Sequence, residues 1–379
     1  MTRPRILEIC AVDFTAVHLL QPLMDGCRAA GWDVEFACSP GPGASRLQEG
    51  GFTYRPFKVS RRLSPVANGR ALLSLAAELR RDPPTLVHTH TPIAGLIGRF
   101  AARLANCRRI VHTFHGLPFA ADTSGLGSDA YLGLERIASR VTTSFFSQSQ
   151  GDAARAVDLG IARGKDILVI GNGVDLSRFR RDDVIRAEVR RELGIPTSDP
   201  VVLFVGRLVR EKGILDLAEA ARVADFPGLI YLIVGDALPS DRDPVTSELE
   251  RHPAALALGG RWRQLGYRSD VERLLNCADL LVLPSYREGL PRSVIEAMAG
   301  GIPVVASDIP ACRELVEPGE TGLLVPVGEP APLAAAIRQL VGDPARRTAM
   351  GLAARRRAEA RHDERLVIRR QLQVFERLL

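Results

Sequence analysis

Short, continuous apolar runs alternate along most of this chain with stretches whose apolar residues recur at helical spacing. ILEICAV (Ile6 to Val12) is followed by a helical pattern from about Leu19 to Ala30, then by WDVEFAC ending at Cys38. A helix near Leu72 to Arg80, the strand TLVHTH, a helix near Ala94 to Ala105 and the strand RRIVHTFH continue the rhythm. FFSQSQ (Phe145 to Gln150) and ILVIGNGVD complete the first set. Apolar runs separated by helical segments predict βαβ units and a mainly parallel sheet.

VVLFVGRL opens a second set, continued by LIYLIVGD, LALGG, DLLVLPS and PVVASD. Between about Phe179 and Pro200 the chain is polar and arginine-rich and ends in GIPTSDP, which predicts a loop and a domain boundary. After GLLVPVG the pattern is purely helical. The expected organisation is α/β: a Rossmann-like domain over 1–185, a second over 186–363, and a last helix over 364–379 crossing back to the first. The two domains are expected to face one another across a cleft. No internal repeat of solenoid type is present.

The chain has 379 residues, long enough for two cores, with 46% hydrophobic and 25% charged residues. A formal charge of +6 favours anionic partners without choosing among phosphate ligands, lipid and nucleic acid. Aromatics are sparse and the basic residues dispersed, which argues against nucleic acid. Six scattered cysteines without a CxxC pair are expected to be reduced and buried, in a cytoplasmic protein. No apolar stretch is long enough to span a bilayer, and no signal peptide is expected before ILEICAV.

Candidate chemistry concentrates in the second half. Arg287 to Gly300, REGLPRSVIEAMAG, holds Glu288 in a loop after a strand and Glu296 inside the following helix. Ligands of open α/β sheets bind where strands end and helices begin, and a carboxylate accepts hydrogen bonds from a vicinal diol. The pair therefore looks like an acidic hook for sugar-nucleotide hydroxyls; solvated surface glutamates are the plainer alternative. In VGRLVREKG, Gly206 ends a strand, and Arg207 and Lys212 flank a helix start suited to anions such as a diphosphate. Gly235 ends the next strand and permits close backbone approach. No GxxxxGK[ST], no GxGxxG after the first strand and no GxSxG occur, which argues against a P-loop nucleotidase, a typical dinucleotide oxidoreductase and an α/β-hydrolase.

In the first half, His88 and His90 alternate in VHTH, and His112 and His115 lie in VHTFHG. No carboxylate stands among them at ligand spacing, so no metal site is expected. His115 ends a strand before the loop from Gly116 to Gly127, where a neutral imidazole can meet a sugar hydroxyl. Asp13, Thr15 and His18, after the first strand, are candidate acceptor contacts. Asn172-Gly173-Val174-Asp175 is expected to form a tight turn, with Asp175 capping LSRF.

VGRLVREKG, YREGLPRSVIEAMAGGIPVVASD and GNGVDLSRF together resemble the family-4 retaining glycosyltransferases of the GT-B fold, over nearly the whole chain. The resemblance implies that Arg207 and Lys212 hold the donor diphosphate, that Glu296 binds the ribose and that Glu288 faces the donor sugar. Gly289 and Leu290 would supply loop backbone there, and His115 matches the histidine that approaches the transferred sugar. Two departures concern acceptor and sugar: Val12-Asp13-Phe14-Thr15 replaces a Gly-Gly turn, and Gly289-Leu290 replaces Phe-Gly. THTPIAGLIGRFAARL, FHGLPF and DIPACREL look closest to bacterial enzymes that build surface glycans. The implied reaction moves a hexose or N-acetylhexosamine from a nucleotide sugar, UDP-linked by preference, to a glycan or undecaprenyl-diphosphate-linked acceptor. With no clear DxD cluster for a metal–diphosphate bridge, metal independence is expected and no cofactor is required. A UDP-sugar 2-epimerase and a non-catalytic nucleotide-sugar binder remain alternatives. Arg61-Arg62 and Leu117 to Phe119 are candidate contacts with an anionic membrane surface.

Overall fold

A computed structural model describes residues 3–60, 64–117, 126–162, 164–165, 167–224, 226–238, 241 and 243–379. The chain forms two compact units, Met1–Gly171 joined by Arg365–Leu379, and Asn172–Glu364.

The first unit is built on a parallel sheet of seven strands: β1 (Arg5–Val12), β2 (Asp33–Ser39), β3 (Thr53–Pro56), β4 (Leu86–His90), β5 (Ile110–Phe114), β6 (Ser144–Ser147) and β7 (Ile167–Val169). Their spatial order is β3-β2-β1-β4-β5-β6-β7, so the direction of winding reverses between β1 and β4. Alternation along β1 divides the core. Ile6 and Cys10 join a cluster with Met24, Phe36 and Phe146, while Leu7 and Ile9 join Leu79, Val87 and Ala101 on the other face. Glu8 shares the period-2 face of Ile6 and Cys10 and lies in register with His88 of β4.

The last helix, Glu364–Arg377, completes that face. Val367 and Phe375 are buried in the same cluster, and Phe375 meets Trp32 and His88 edge-on at 6.2 and 5.2 Å between ring centres. Arg109 donates to the carbonyl of Leu379 at 2.6 Å, fastening the C-terminus to β5.

The second unit has six parallel strands: β8 (Val201–Val205), β9 (Ile230–Val234), β10 (Trp262–Gly266), β11 (Leu280–Leu283), β12 (Val304–Ser307) and β13 (Gly322–Val325). The order β10-β9-β8-β11-β12-β13 reverses between β8 and β11. Strands β8, β9, β11 and β12 are almost wholly buried, as expected of a parallel sheet covered on both faces.

Two expectations are corrected. LALGG is not a strand: Pro253–Leu258 is helical, with Ala254, Ala255 and Leu258 inward, and the strand is the next segment, WRQLG. That strand lies at the sheet edge, where Arg263 and Gln264 are tolerated and the apolar signal is diluted. Before GIPTSDP, which has no helix or strand, Asp183–Glu192 is a helix capped by Asp182 that had no sequence assignment. Arg186 and Arg190 of this helix clamp Asp279 at 2.7 and 2.8 Å. Val174, Phe179 and Val189 enter the second core, so the unit boundary falls at Gly171–Asn172 rather than at 185. The short edge strand β3 had no clear sequence signal.

All six cysteines are buried and free. Among the described residues no helix is long and apolar enough to cross a membrane. Arg61, Arg62, Pro118 and Phe119 lie outside the described residues. Leu117 is packed with Phe114 and Tyr131 rather than displayed, which corrects its assignment as a membrane contact.

Candidate functional site

In the second unit, the turn after β8 and the loop after β11 meet at the reversal of strand order, the place where open α/β sheets bind ligands. Gly213 makes this approach possible. It sits at φ +66°, and a Cβ there would lie 2.0 Å from the carbonyl oxygen of Pro284. Gly235 has the same role one strand away, at φ +130° with a Cβ position 1.9 Å from the Gly206 oxygen. Gly206 itself has neither a left-handed backbone nor a contact that close.

The side chains then converge. Lys212 Nζ lies 2.6 Å from Glu288 Oε1, and the Ser285 hydroxyl donates to the same oxygen at 2.7 Å. Tyr286 N donates to the Glu211 carbonyl at 2.8 Å and Arg287 reaches the Glu211 carboxylate, so the two loops are tied on both sides of the pair. Arg207 is held by Asp241 and, at 3.2 Å, by Glu211. Sequence reasoning had not marked Asp241 or Ser285: Asp241 opens an Asp-x-Asp pattern with Asp243, while Ser285 carries no motif and is recognisable only by its partner.

Glu296 lies in the helix Arg292–Ala299 and pairs with Arg292 at 3.0 Å. Burial raises its carboxyl above the usual range, and Arg292 only partly offsets this. Glu288 and Glu296 thus have separate cations. Leu290 is buried, and its carbonyl accepts from Asn172 Nδ2 at 3.4 Å; Gly289, beside it, is half-buried. Asp175 accepts from Ser177 N at 2.8 Å, the cap expected there.

The first unit's polar centre lies at its own reversal point, between β1 and β4. Glu8, His88 and His90 are all essentially inaccessible. His90 Nε2 is 2.6 Å from Glu8 Oε2, and His90 Nδ1 is 2.8 Å from His115 Nε2. His88 Nδ1 lies 3.2 Å from Glu8 Oε1, while its Nε2 meets the Thr113 hydroxyl at 2.7 Å. The expectation that no carboxylate stands among these histidines is therefore overturned: Glu8 comes from 80 residues away, beyond the reach of local spacing. Their ligand-type atoms lie within 4.8 Å of one another, yet they are already engaged with each other through hydrogen bonds.

His115 also lines a small concavity with Thr91, His112, Gly116, Tyr131 and Glu135. Thr91 has φ +63°, an outlier for a β-branched residue, and backbone strain of this kind clusters at functional sites. Asp13 is committed elsewhere: its Oδ2 accepts from Gly43 N at 2.8 Å and its Oδ1 from Phe14 N at 2.9 Å. Thr15 is half-buried nearby, and the exposed His18 packs on Phe14 with ring centres 4.2 Å apart.

Burial lowers His90 to about 4 and holds His112 and His115 well below the usual imidazole value. For Glu8, burial acts upward, but the charge and hydrogen bonds of His88 and His90 outweigh it and hold the carboxyl near 2. Each of these groups binds its proton more readily in the unfolded chain. The stability they confer is complete above the unfolded imidazole value of 6.5 and drains away as pH falls, toward about 4 for His90 and about 2 for Glu8. Acidification from pH 7.5 to 5 is expected to cost about 2 kcal/mol through His90 alone, with His112 and His115 adding in the same direction. Calorimetry should show the unfolding midpoint dropping by roughly 5 °C or more; a flat profile would contradict a neutral His90.

Residues 185–357 match the family described as Glycosyl transferases group 1, and residues 16–173 match the Glycosyl transferase 4-like domain. An alpha-maltose-1-phosphate synthase of Mycobacterium tuberculosis is 32% identical over 90% of this chain and 89% of its own. The chain belongs to the group 1 glycosyl transferases. As a glycosyltransferase it is also similar to the UDP-Gal:alpha-D-GlcNAc-diphosphoundecaprenol alpha-1,3-galactosyltransferase of Escherichia coli. Identity there is 29%, over 79% of this chain and 77% of the relative. The fold of this glycosyltransferase is GT-B. It superposes on Anabaena Alr3699/HepE, crystallised with UDP, at a TM-score of 0.82, 24% identity, and coverage of 99% and 100%.

Proposed function

We propose that this glycosyltransferase moves a hexose or N-acetylhexosamine, with retention, from a UDP-sugar to a hydroxyl of a lipid-linked glycan in bacterial surface polysaccharide synthesis. The observation that carries the donor assignment is the Lys212–Glu288–Ser285 cluster at the β8/β11 reversal. Lys212, with Arg207 beside it, meets the charge that grows on the departing diphosphate. Glu288 accepts from the sugar and Glu296 from the ribose, the latter as its ionised form. Gly206, Gly235, Gly289 and Leu290 supply the close backbone around the donor. Acceptor recognition falls to the first unit, to Thr15, His18 and His115, with Asp13 shaping the loop through Gly43.

Retention in this reading needs no enzyme nucleophile. The acceptor oxygen bonds to the anomeric carbon on the face the diphosphate leaves. The departing phosphate oxygen carries away the electron pair of the broken bond and takes the acceptor's proton. The UDP-linked donor and diphosphoundecaprenol-linked acceptor in the name of the Escherichia coli relative support the choice of substrates.

A panel of UDP-, GDP- and ADP-sugars, supplied with purified bacterial membrane lipid and read by mass spectrometry, tests this. The expected result is a glycosylated lipid that depends on a UDP-sugar, persists with a chelator present, and keeps the donor's anomeric configuration by NMR. An epimerised UDP-sugar formed without acceptor would replace transfer by epimerisation. Donor binding without turnover on any lipid would leave a non-catalytic binder.

A further inference from the structure

We propose that Glu8 and His90 are positioning residues that hold His115 as its Nε2–H tautomer, leaving Nδ1 as a hydrogen-bond acceptor for a sugar hydroxyl. The role given to His115 rests on the function proposed above; the tautomer does not.

The inference follows the chain of hydrogen bonds outward from the sheet. Glu8 sits mid-strand in β1 without exposure, facing His88 and His90 of β4. An ionised carboxylate only accepts, so His90 must present Nε2–H across the 2.6 Å to Glu8 Oε2. A neutral imidazole carries one ring hydrogen, which leaves His90 Nδ1 bare. That nitrogen lies 2.8 Å from His115 Nε2, so the hydrogen between the two rings belongs to His115. His115 Nδ1 is then bare as well; it is buried, and Gln148 hydrogen-bonds the His115 side chain. A bare ring nitrogen accepts a hydrogen bond, from the Gln148 amide or from a sugar hydroxyl that takes its place.

The groups facing this chain favour the same register. Glu8 is held ionised by His88 and His90 against its own burial. His90 is kept neutral by burial, then by His88, with Glu8 opposing. His115 is kept neutral by burial, then by His90 and His88, while a hydrogen bond to Gln148 and the charge of Glu8 oppose more weakly. His112 lies on the adjacent strand with Arg99 near it, and is itself neutral by burial. The reverse register, with His115 Nδ1–H turned toward Gln148, would need a proton on Glu8. The ring hydrogen of an imidazole is set by the bond its other nitrogen makes, and an imidazole in the wrong tautomer loses its function even where its position is unchanged.

The test is a two-bond proton–nitrogen correlation spectrum of the full-length protein labelled with nitrogen-15 in its seven histidines. The wild type is expected to show His115 as a single Nε2–H tautomer at pH 7. An Nδ1–H ring or an even mixture there would overturn the proposal without any variant. In Glu8→Gln, the amide offers one accepting oxygen where the carboxylate offered two. His90 and His115 are expected to become tautomer mixtures, and kcat to fall about 100-fold with donor KM within about twofold. Unchanged tautomers with unchanged kcat would remove Glu8 from the role, and Glu8→Asp should recover part of both readouts. His115→Ala separates the two ideas: full activity in that variant sinks the assignment of His115 to the sugar but leaves its wild-type tautomer as found.

Discussion

Lys212→Ala is expected to lower kcat/KM for the sugar nucleotide by about a thousandfold, the largest single-residue effect on transfer. Two losses add in this variant. In the proposed donor site the departing diphosphate loses the Lys212 cation, and preorganised charge of that kind is worth on the order of 3–4 kcal/mol in a transition state. Glu288 also loses the partner 2.6 Å away and keeps Ser285 as its remaining close donor. Its side chain is only 9% exposed, so an unpaired charge there is costly and its readiness to accept from a sugar hydroxyl changes.

Glu288→Gln distinguishes the two contributions. It spares the cation and should cost about ten- to a hundredfold, mainly in kcat. The double variant should fall short of the product of the single effects, because the partners touch; a coupling of about 1–3 kcal/mol is expected. Steady-state kinetics with calorimetric titration of UDP would settle it. If Lys212→Ala retains both UDP affinity and kcat within about threefold, the diphosphate lies elsewhere.

Gly213→Ala should destabilise the protein by about 3 kcal/mol, measured by urea unfolding of the second unit's transition. A methyl group at φ +66° carries backbone strain, and its carbon would stand 2.0 Å from the Pro284 oxygen. Because that contact is with backbone, no rotamer change relieves it, and the β8 turn must move away from the loop leading to Glu288. Activity should fall with stability, since Lys212 and Glu288 ride on the two displaced segments. Gly206→Ala is the matched control: its added Cβ would meet the Phe204 ring at 3.3 Å, and a ring edge can shift by a few tenths of an ångström. Equal destabilisation of the two variants would refute the close-approach argument.

Legibility differed between the two units. In the second, Gly206, Arg207, Lys212, Glu288 and Glu296 fall in two short segments, after β8 and β11, whose strand-to-helix character is legible locally. In the first, the histidines were visible as an alternating pattern, but Glu8 looked like one polar residue in an apolar strand. Asp13 showed the opposite error. A polar residue after a strand suggests a ligand contact, yet its carboxylate is taken up by the amides of Phe14 and Gly43. Arg186 and Arg190 have no distinguishing sequence context; their partner, Asp279, lies about ninety residues away.

By itself the sequence determined the α/β class, the two successive sheets, the closing helix and the donor-side motifs. These depend on the period of apolar residues and on turn chemistry, both of which operate within a few residues of one another. Only the tertiary structure decided which charges are paired, where the first unit ends, and that Glu8, His90 and His115 form one hydrogen-bonded line. Those outcomes depend on parallel strands brought together across crossovers of many residues, and on burial, which sets protonation. Neither strand pairing nor burial has a local signature in the chain.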